Sequence, residues 1–197
     1  MNDPLFSPTV RPWARFGAFI FDVTVFFFPV VMLWLYFEPD LYLMAFSYAG
    51  LPLALARTFT AIPLIALCTS LTGTTPGKAL LGMRVVTFDG GKMSFTQAFQ
   101  RSIYSFWLGA IGLLEPMGYI MMFFSYRRLA ATRSTAWDAK FQTAVMHTPY
   151  VPWKIAIFFV ILVGCNIAQN VMLMLVKPEY MENLIALIQT AMYPPPA

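Results

Sequence analysis

The stretch Ala14-Arg15-Phe16-Gly17-Ala18-Phe19-Ile20-Phe21-Asp22-Val23-Thr24-Val25-Phe26-Phe27-Phe28 is apolar except for one arginine, one aspartate and a threonine. The apolar run continues to Phe37. A bilayer core needs about 20 apolar residues in a helix, so this segment is long enough to cross. Asp22 then lies well inside the membrane, where an aspartate costs roughly 2.5–3.5 kcal/mol. A residue that costly is kept for pairing, for proton or ion chemistry, or for holding a helix bundle together.

Composition points the same way. Of 197 residues, 59% are hydrophobic and 11% charged, against about 25% charged in a soluble domain. Mean hydropathy is +0.66. The reading is an integral membrane protein with no separate soluble domain. The net charge of +4 fits loops facing anionic lipid, since no basic-aromatic stripe suggests nucleic acid. Cys68 and Cys165 fall in apolar segments and read as buried reduced thiols, not a disulfide framework or a zinc site. No cleavable signal peptide is visible, because Arg15 and Asp22 interrupt the candidate region.

Further along, a second span is expected over about Ala49 to Leu71, with Arg57 inside it. Thr75 with Pro76 reads as the start of a short helix that Gly82 closes. Met83 to Phe88, followed by Asp89-Gly90-Gly91, reads as a small interfacial hairpin. Ser94-Phe95-Thr96-Gln97 is a capping box that starts a helix near Phe95. The segment from Phe99 to Phe124 is broken by Gly109, Gly112, Glu115-Pro116 and Gly118. Its halves are each too short to cross. A last span is expected over about Trp153 to Val176, then an amphipathic tail ending Pro194-Pro195-Pro196.

Lysine and arginine mark the cytoplasmic side of a membrane protein. Arg11 and Arg15 precede the first span, and Glu38 and Asp40 follow it, so the N-terminus is expected inside. If residues 99–124 crossed fully, Arg127, Arg128, Arg133 and Lys140 would lie outside. If that segment dips in and returns, every loop obeys the rule. The expected fold is all-α: three full transmembrane helices, one broken or re-entrant helical hairpin, and a small interfacial helix with a β-hairpin. Four full spans is the alternative.

Arg15, Asp22 and the later Asp138, with Thr75-Pro76-Gly77-Lys78-Ala79-Leu80-Leu81-Gly82-Met83-Arg84-Val85-Val86 between them, resemble the RDD family of small membrane proteins, named for one arginine and two aspartates. The likeness covers about Arg11 to Val145. It divides the chain into an RDD-like membrane domain (1–147), an additional transmembrane helix (148–176) and a tail (177–197). The family usually has a small pair, often Ala-Gly, before the threonine that follows Asp138. Here Gln142 stands in the glycine's place before Thr143. The resemblance implies a bacterial inner-membrane protein, transport of ligands not yet known and, in some members, sodium/proton exchange.

Depth estimates place Asp22 and Arg57 within about 6 Å of one level on antiparallel spans, so a buried Asp22–Arg57 pair is expected. Burial raises a carboxylate pKa and a nearby arginine lowers it, which leaves open whether Asp22 carries protons. Arg15 is expected to snorkel to phosphate or to reach Asp138. Asn166, Gln169 and Asn170 share one helix face and are expected to point into protein. Glu115 is either a mid-membrane carboxylate in a cavity or a helix-end residue reaching solvent. Asp138 is expected to cap a helix, and Lys78 and Arg84 to hold anionic lipid headgroups on the cytoplasmic face. Gly73 to Ala79 lacks the spacing of a phosphate loop. His147, the one histidine, has no partner at metal-ligand spacing. No cofactor and no enzymatic activity are expected. Two function classes stand: a small ion or solute transporter using Asp22 and Glu115, expected to need oligomers in so short a chain, and a membrane scaffold that binds a protein partner or anionic lipid. The first predicts a homo-oligomer, the second a membrane protein partner.

Overall fold

The computed structural model describes residues 11–47, 50–110, 114, 116–149, 151–179 and 182. Glu115 and nearly all of the tail lie outside the described residues. Three helices are long and apolar enough to cross a membrane: α1 (Pro12–Phe37), α3 (Leu51–Thr72) and α8 (Pro152–Val176). A short helix, α2 (Pro39–Ser47), lies between the first two. The capping box forms as its spacing requires. Ser94 N–H donates to Gln97 Oε1 at 3.2 Å and Gln97 N–H to Ser94 Oγ at 3.3 Å, and α5 (Phe95–Ala110) starts there. Helix α6 (Met117–Thr132) packs back against α5.

The path of the chain settles what the broken segment does. Strand β1 (Met83–Thr87) pairs antiparallel with β2 (Thr143–His147). Residues between them therefore leave one face of the bundle and return to it. Helices α5 and α6, at 16 residues each, are about 24 Å long, short of a full span. The pair forms a helical hairpin, and the basic stretch after it stays on the sheet side. Helix α8 starts at that side and ends at the other, where Lys177 Nζ meets Asp40 Oδ1 at 2.8 Å. Helices α1 and α8 thus run parallel, with α3 reversed between the two ends.

One local expectation fails. The Asp89-Gly90 turn exists, with Gly90 N–H donating to Thr87 O at 2.9 Å, but no second strand follows it. The partner of β1 comes from the far side of the α5–α6 hairpin. Turn chemistry reports local reversal; which strand fills the free edge is a tertiary choice.

The two halves of the sheet belong to two copies of one supersecondary unit. After α3, Gly73 takes φ +74°, Thr75 caps α4 (Pro76–Leu80), Gly82 takes φ +64°, and β1 starts. After α6, Arg133 takes φ +58°, Thr135 caps α7 (Ala136–Lys140), Gln142 takes φ +51°, and β2 starts. Positions 73, 75, 82 and 83 correspond to 133, 135, 142 and 143, a constant offset of 60 residues. Val85 faces Val145 at the centre of the ladder, so a local two-fold axis passes between them. The left-handed backbone at Gln142 gives the physical reason for a glycine at that position: only glycine takes it without strain.

The main core joins α1, α3 and α5. Phe27, Val31 and Leu35 lie four residues apart on one stripe of α1 and pack on Ala61, Ile62 and Ile65 of α3 and on Phe106 of α5. Helix α8 packs along α1 and against α4, with Phe158 stacked on Phe21 at a centroid distance of 4.7 Å, while most of its apolar surface is exposed, the surface a lipid-facing helix presents. Cys68 and Cys165 are free thiols, half-buried rather than enclosed.

Candidate functional site

Helix α1 lies against α4, and its charged residues meet residues of both units. Asp22 is fully buried. Its Oδ1 accepts from Gly77 N–H at 2.7 Å, and its Oδ2 accepts from the Thr75 hydroxyl and from Lys78 Nζ at 3.3 Å. Gly77 is needed for this approach, since a Cβ there would lie 2.5 Å from Ala18 O and 3.0 Å from Asp22 Oδ1. Burial pulls the Lys78 ammonium below its usual range, against the opposing pull of Asp22.

In the second unit the signs are reversed. Asp138 occupies the position equivalent to Lys78 and pairs with Arg15, whose Nη1 lies 3.1 Å from Oδ2. Arg101 of α5 approaches Oδ1 with Nε at 3.1 Å and Nη2 at 2.5 Å. The Thr143 hydroxyl also reaches Oδ1, at 3.1 Å. Burial pushes the Asp138 carboxyl up, but Arg101 and Arg15 outweigh it and hold the group below the usual carboxylate range. A buried carboxylate with two guanidinium partners and a hydroxyl stays charged.

Arg15 also reaches His147, with Nε 3.4 Å from Nε2. Burial first, then Arg15 and Arg11, lowers the His147 pKa to about 4. The ring is therefore neutral near pH 7.

Several sequence expectations are corrected here. Asp22 pairs with Lys78, not Arg57. The Arg57 guanidinium lies over the Phe27 ring, 5.6 Å from its centroid, and Phe27 is five residues, about 7.5 Å, beyond Asp22 along α1. Lys78 does not stand on the open membrane surface: its side chain is 13% exposed, lines the cavity described below and is held by Asp22. Arg84, by contrast, is exposed on β1. The cap of α7 is Thr135, whose hydroxyl accepts from Asp138 N–H at 3.1 Å. Asp138 sits three residues on, with its carboxylate free for the arginines. Of the three amides on α8, only Gln169 reaches another element, donating to Tyr42 Oη at 2.6 Å. Asn166 and Asn170 are exposed and donate back to Leu162 O and Asn166 O of their own helix. They do not line a cavity with Asp22.

Arg101, Thr75 and Thr143 were not among the sequence candidates. Arg101 had a signal: Arg101, Ser102 and Ser105 fall at helical spacing, a polar stripe on a mostly apolar segment. The threonines were marked only by position, Thr75 at the start of a short helix and Thr143 after Asp138 in the family pattern, and their side-chain partners were not legible.

Next to this cluster lies a cavity of about 380 Å³ between α1, α5 and α6. Arg15, Lys78, Arg101 and Asp138 line its charged end, and Trp13, Phe19, Phe123 and Tyr126 are among its apolar walls. Asp22 does not line it.

The arrangement is that of a multi-pass helical membrane protein with a paired charge cluster at one end of its bundle. The RDD family model matches residues 9–179, and the chain belongs to the RDD family. The match takes in α8, beyond the motif-bearing region. No curated protein and no solved structure matches the chain.

Proposed function

We propose that this protein transports small solutes or ions across the bacterial cytoplasmic membrane, with the cavity between α1, α5 and α6 as the binding chamber. The observation that carries the reading is the cavity's end wall: charged groups rarely face a membrane-embedded cavity unless something polar enters it. The reading has the N-terminus inside. Arg11, Arg15, Lys78, Arg84, Lys92 and Arg133 gather at the sheet side, while Glu38, Asp40 and Glu179 gather with Lys177 at the other end, which fits the excess of cationic residues on cytoplasmic faces. Exposed Arg84 then faces anionic headgroups.

The reading assigns no enzymatic step to the Thr75–Lys78 pair. Thr75 Oγ1 lies 3.1 Å from Lys78 Nζ, the spacing of an amine-activated hydroxyl, but Thr75 is 1% exposed and does not line the cavity.

Self-association is part of the reading. Asn166 and Asn170 are exposed on a helix of hydropathy 2.1. An amide carries both donors and acceptors, so beyond the bond each makes to its own helix it can pair with its counterpart on a second copy.

A second reading has its own support. Both oxygens of Asp22 and both of Asp138 are already bonded within the protein, which suits a scaffold whose charges only fix helix positions. The test is flux in proteoliposomes carrying a pH-sensitive dye, under sodium, potassium and solute gradients. Wild type is compared with Ser105→Phe, which fills the cavity, and with Asp22→Asn. Flux lost in folded Ser105→Phe supports the chamber. Proton movement lost only in folded Asp22→Asn supports exchange at Asp22. A folded wild type that moves nothing and copurifies with a stoichiometric partner supports the scaffold.

A further inference from the structure

Among the described residues, Arg15, Lys78 and Arg101 share a cluster with two carboxylates, Asp22 and Asp138. One positive charge is left over. The imbalance is sharper at the cavity surface, which is lined by the three cations and by Asp138 alone. Donor capacity is left over too. A guanidinium offers five N–H groups and an ammonium three. Arg101 makes its hydrogen bonds through Nε and Nη2, and two of the three Arg15 contacts, to His147 and Val145, are as long as 3.4 and 3.5 Å.

The rest of the cavity is apolar. Its wall on α6 runs from Tyr119 to Leu129, ten residues or about 15 Å of helix. Trp13 and Phe123 line it and are 70% and 57% exposed in all, so the cavity is open along their edge. The walls are therefore continuous with the lipid-facing surface. At the inner end Trp137 sits against Gly109, where a Cβ would lie 2.7 Å from the indole.

A cationic end, an apolar channel and a lipid-facing edge match one ligand chemistry. We propose that this cavity binds an anionic amphiphile taken from the bilayer, with its phosphate or carboxylate head on Arg15, Lys78 and Arg101 and its chain along α6. The proposal rests on the reading of this cavity as the binding chamber, and names its ligand class.

The test uses the full chain in phosphatidylcholine nanodiscs, with small fractions of phosphatidylglycerol bearing brominated chains. Trp13 and Trp137 line the cavity, so a bound brominated chain quenches tryptophan fluorescence. The expected result is a saturable quench with phosphatidylglycerol that brominated phosphatidylcholine does not give. Unlabelled phosphatidylglycerol near 100 times its Kd should also raise Tm by about 5 °C or more. Ser105→Phe should abolish the saturable part while keeping the ion pairs. The double variant Asp22→Asn, Lys78→Met removes one cavity cation together with its partner, and should weaken binding about tenfold. Equal quenching by phosphatidylcholine, or an unchanged quench in folded Ser105→Phe, overturns the proposal. Competition by inorganic phosphate as strong as by phosphatidylglycerol overturns its amphiphilic half, since the chain would then add nothing. Solute flux on the same preparations separates the two readings: binding without flux removes transport and keeps the lipid site, and flux without saturable binding does the reverse.

Discussion

Lys78 and Asp138 occupy equivalent positions in two structural units 60 residues apart, and each binds the residue of opposite charge on α1: Lys78 meets Asp22 and Asp138 meets Arg15. Arg15 and Asp22 are two turns apart on one helix face, so one face of α1 fastens both units. A helix inserted with the wrong rotation or depth would leave Arg15, Asp22 and Lys78 unpaired in a low-dielectric region, which is a strong selection for one register.

Removing one partner of a buried pair leaves the other uncompensated, at a cost of about 3–5 kcal/mol. Asp22→Asn strands Lys78, and Asp138→Asn strands both Arg15 and Arg101. The second variant should therefore be the less stable one. Asp22→Asn combined with Lys78→Met should recover most of the loss of Asp22→Asn alone. Unfolding in mixed micelles, run as a double-mutant cycle, checks this, and a cycle with no coupling would show the Asp22–Lys78 contact to be unimportant.

Gln142 holds a backbone conformation with φ +51°, which costs an ordinary residue roughly 1–2 kcal/mol. Its main-chain bonds, to Phe88 and Ala139, do not need a side chain. Gln142→Gly should stabilise the fold by about 0.5–1 kcal/mol after the added entropy of the unfolded chain is counted. Gly82→Gln, at the equivalent position, should destabilise by more, because a Cβ there lies 2.7 Å from the Thr148 hydroxyl. Thermal unfolding in nanodiscs reads both signs.

The lowered pKa of His147 makes stability depend on pH. The unfolded ring binds a proton below its ordinary value of 6.5, while the folded ring stays neutral until about pH 4. Between those values the unfolded state holds more protons, so stability is complete above about pH 6.5 and falls as pH drops toward 4. The ring is partly exposed, so the loss should be held to about 1–2 kcal/mol by screening. His147→Gln should flatten Tm in that window. An unchanged slope would assign the acid sensitivity to other groups.

On α8, Asn166→Leu with Asn170→Leu removes the exposed amides without touching a contact to another element. Self-association in vesicles, read by energy transfer between labelled copies, should weaken by about 1 kcal/mol, the scale of amide bonds between membrane helices. Gln169→Leu should spare association and instead loosen the tie to Tyr42. If the asparagine variant associates as tightly as wild type, this face meets lipid alone.

Much was legible because it is local or compositional. Hydropathy run-length marked α1, α3 and α8, and the Ser94–Gln97 spacing marked the start of α5. The basic stretch from Arg127 to Lys140, read against the membrane's charge asymmetry, implied that α5 and α6 return to one side, and the sheet has them do so. The order of Arg15, Asp22 and Asp138 gave the family. The sequence repeat was not legible: between residues 73–87 and 133–147 the only identities are Thr75/Thr135, Ala79/Ala139 and Val85/Val145, because the shared geometry is carried by backbone conformation that several residue types adopt.

What the sequence determined by itself, then, is which segments enter the membrane and that charged residues must be reconciled inside it, since transfer cost depends on composition and length alone. Which charges meet was decided only by the tertiary structure. A few ångströms of helix depth and one rotation choose Lys78 over Arg57 for Asp22, bring Arg101 to Asp138, and leave three cations around a cavity. Electrostatic energy between buried groups changes steeply over such distances, and those distances exist only once the helices are packed.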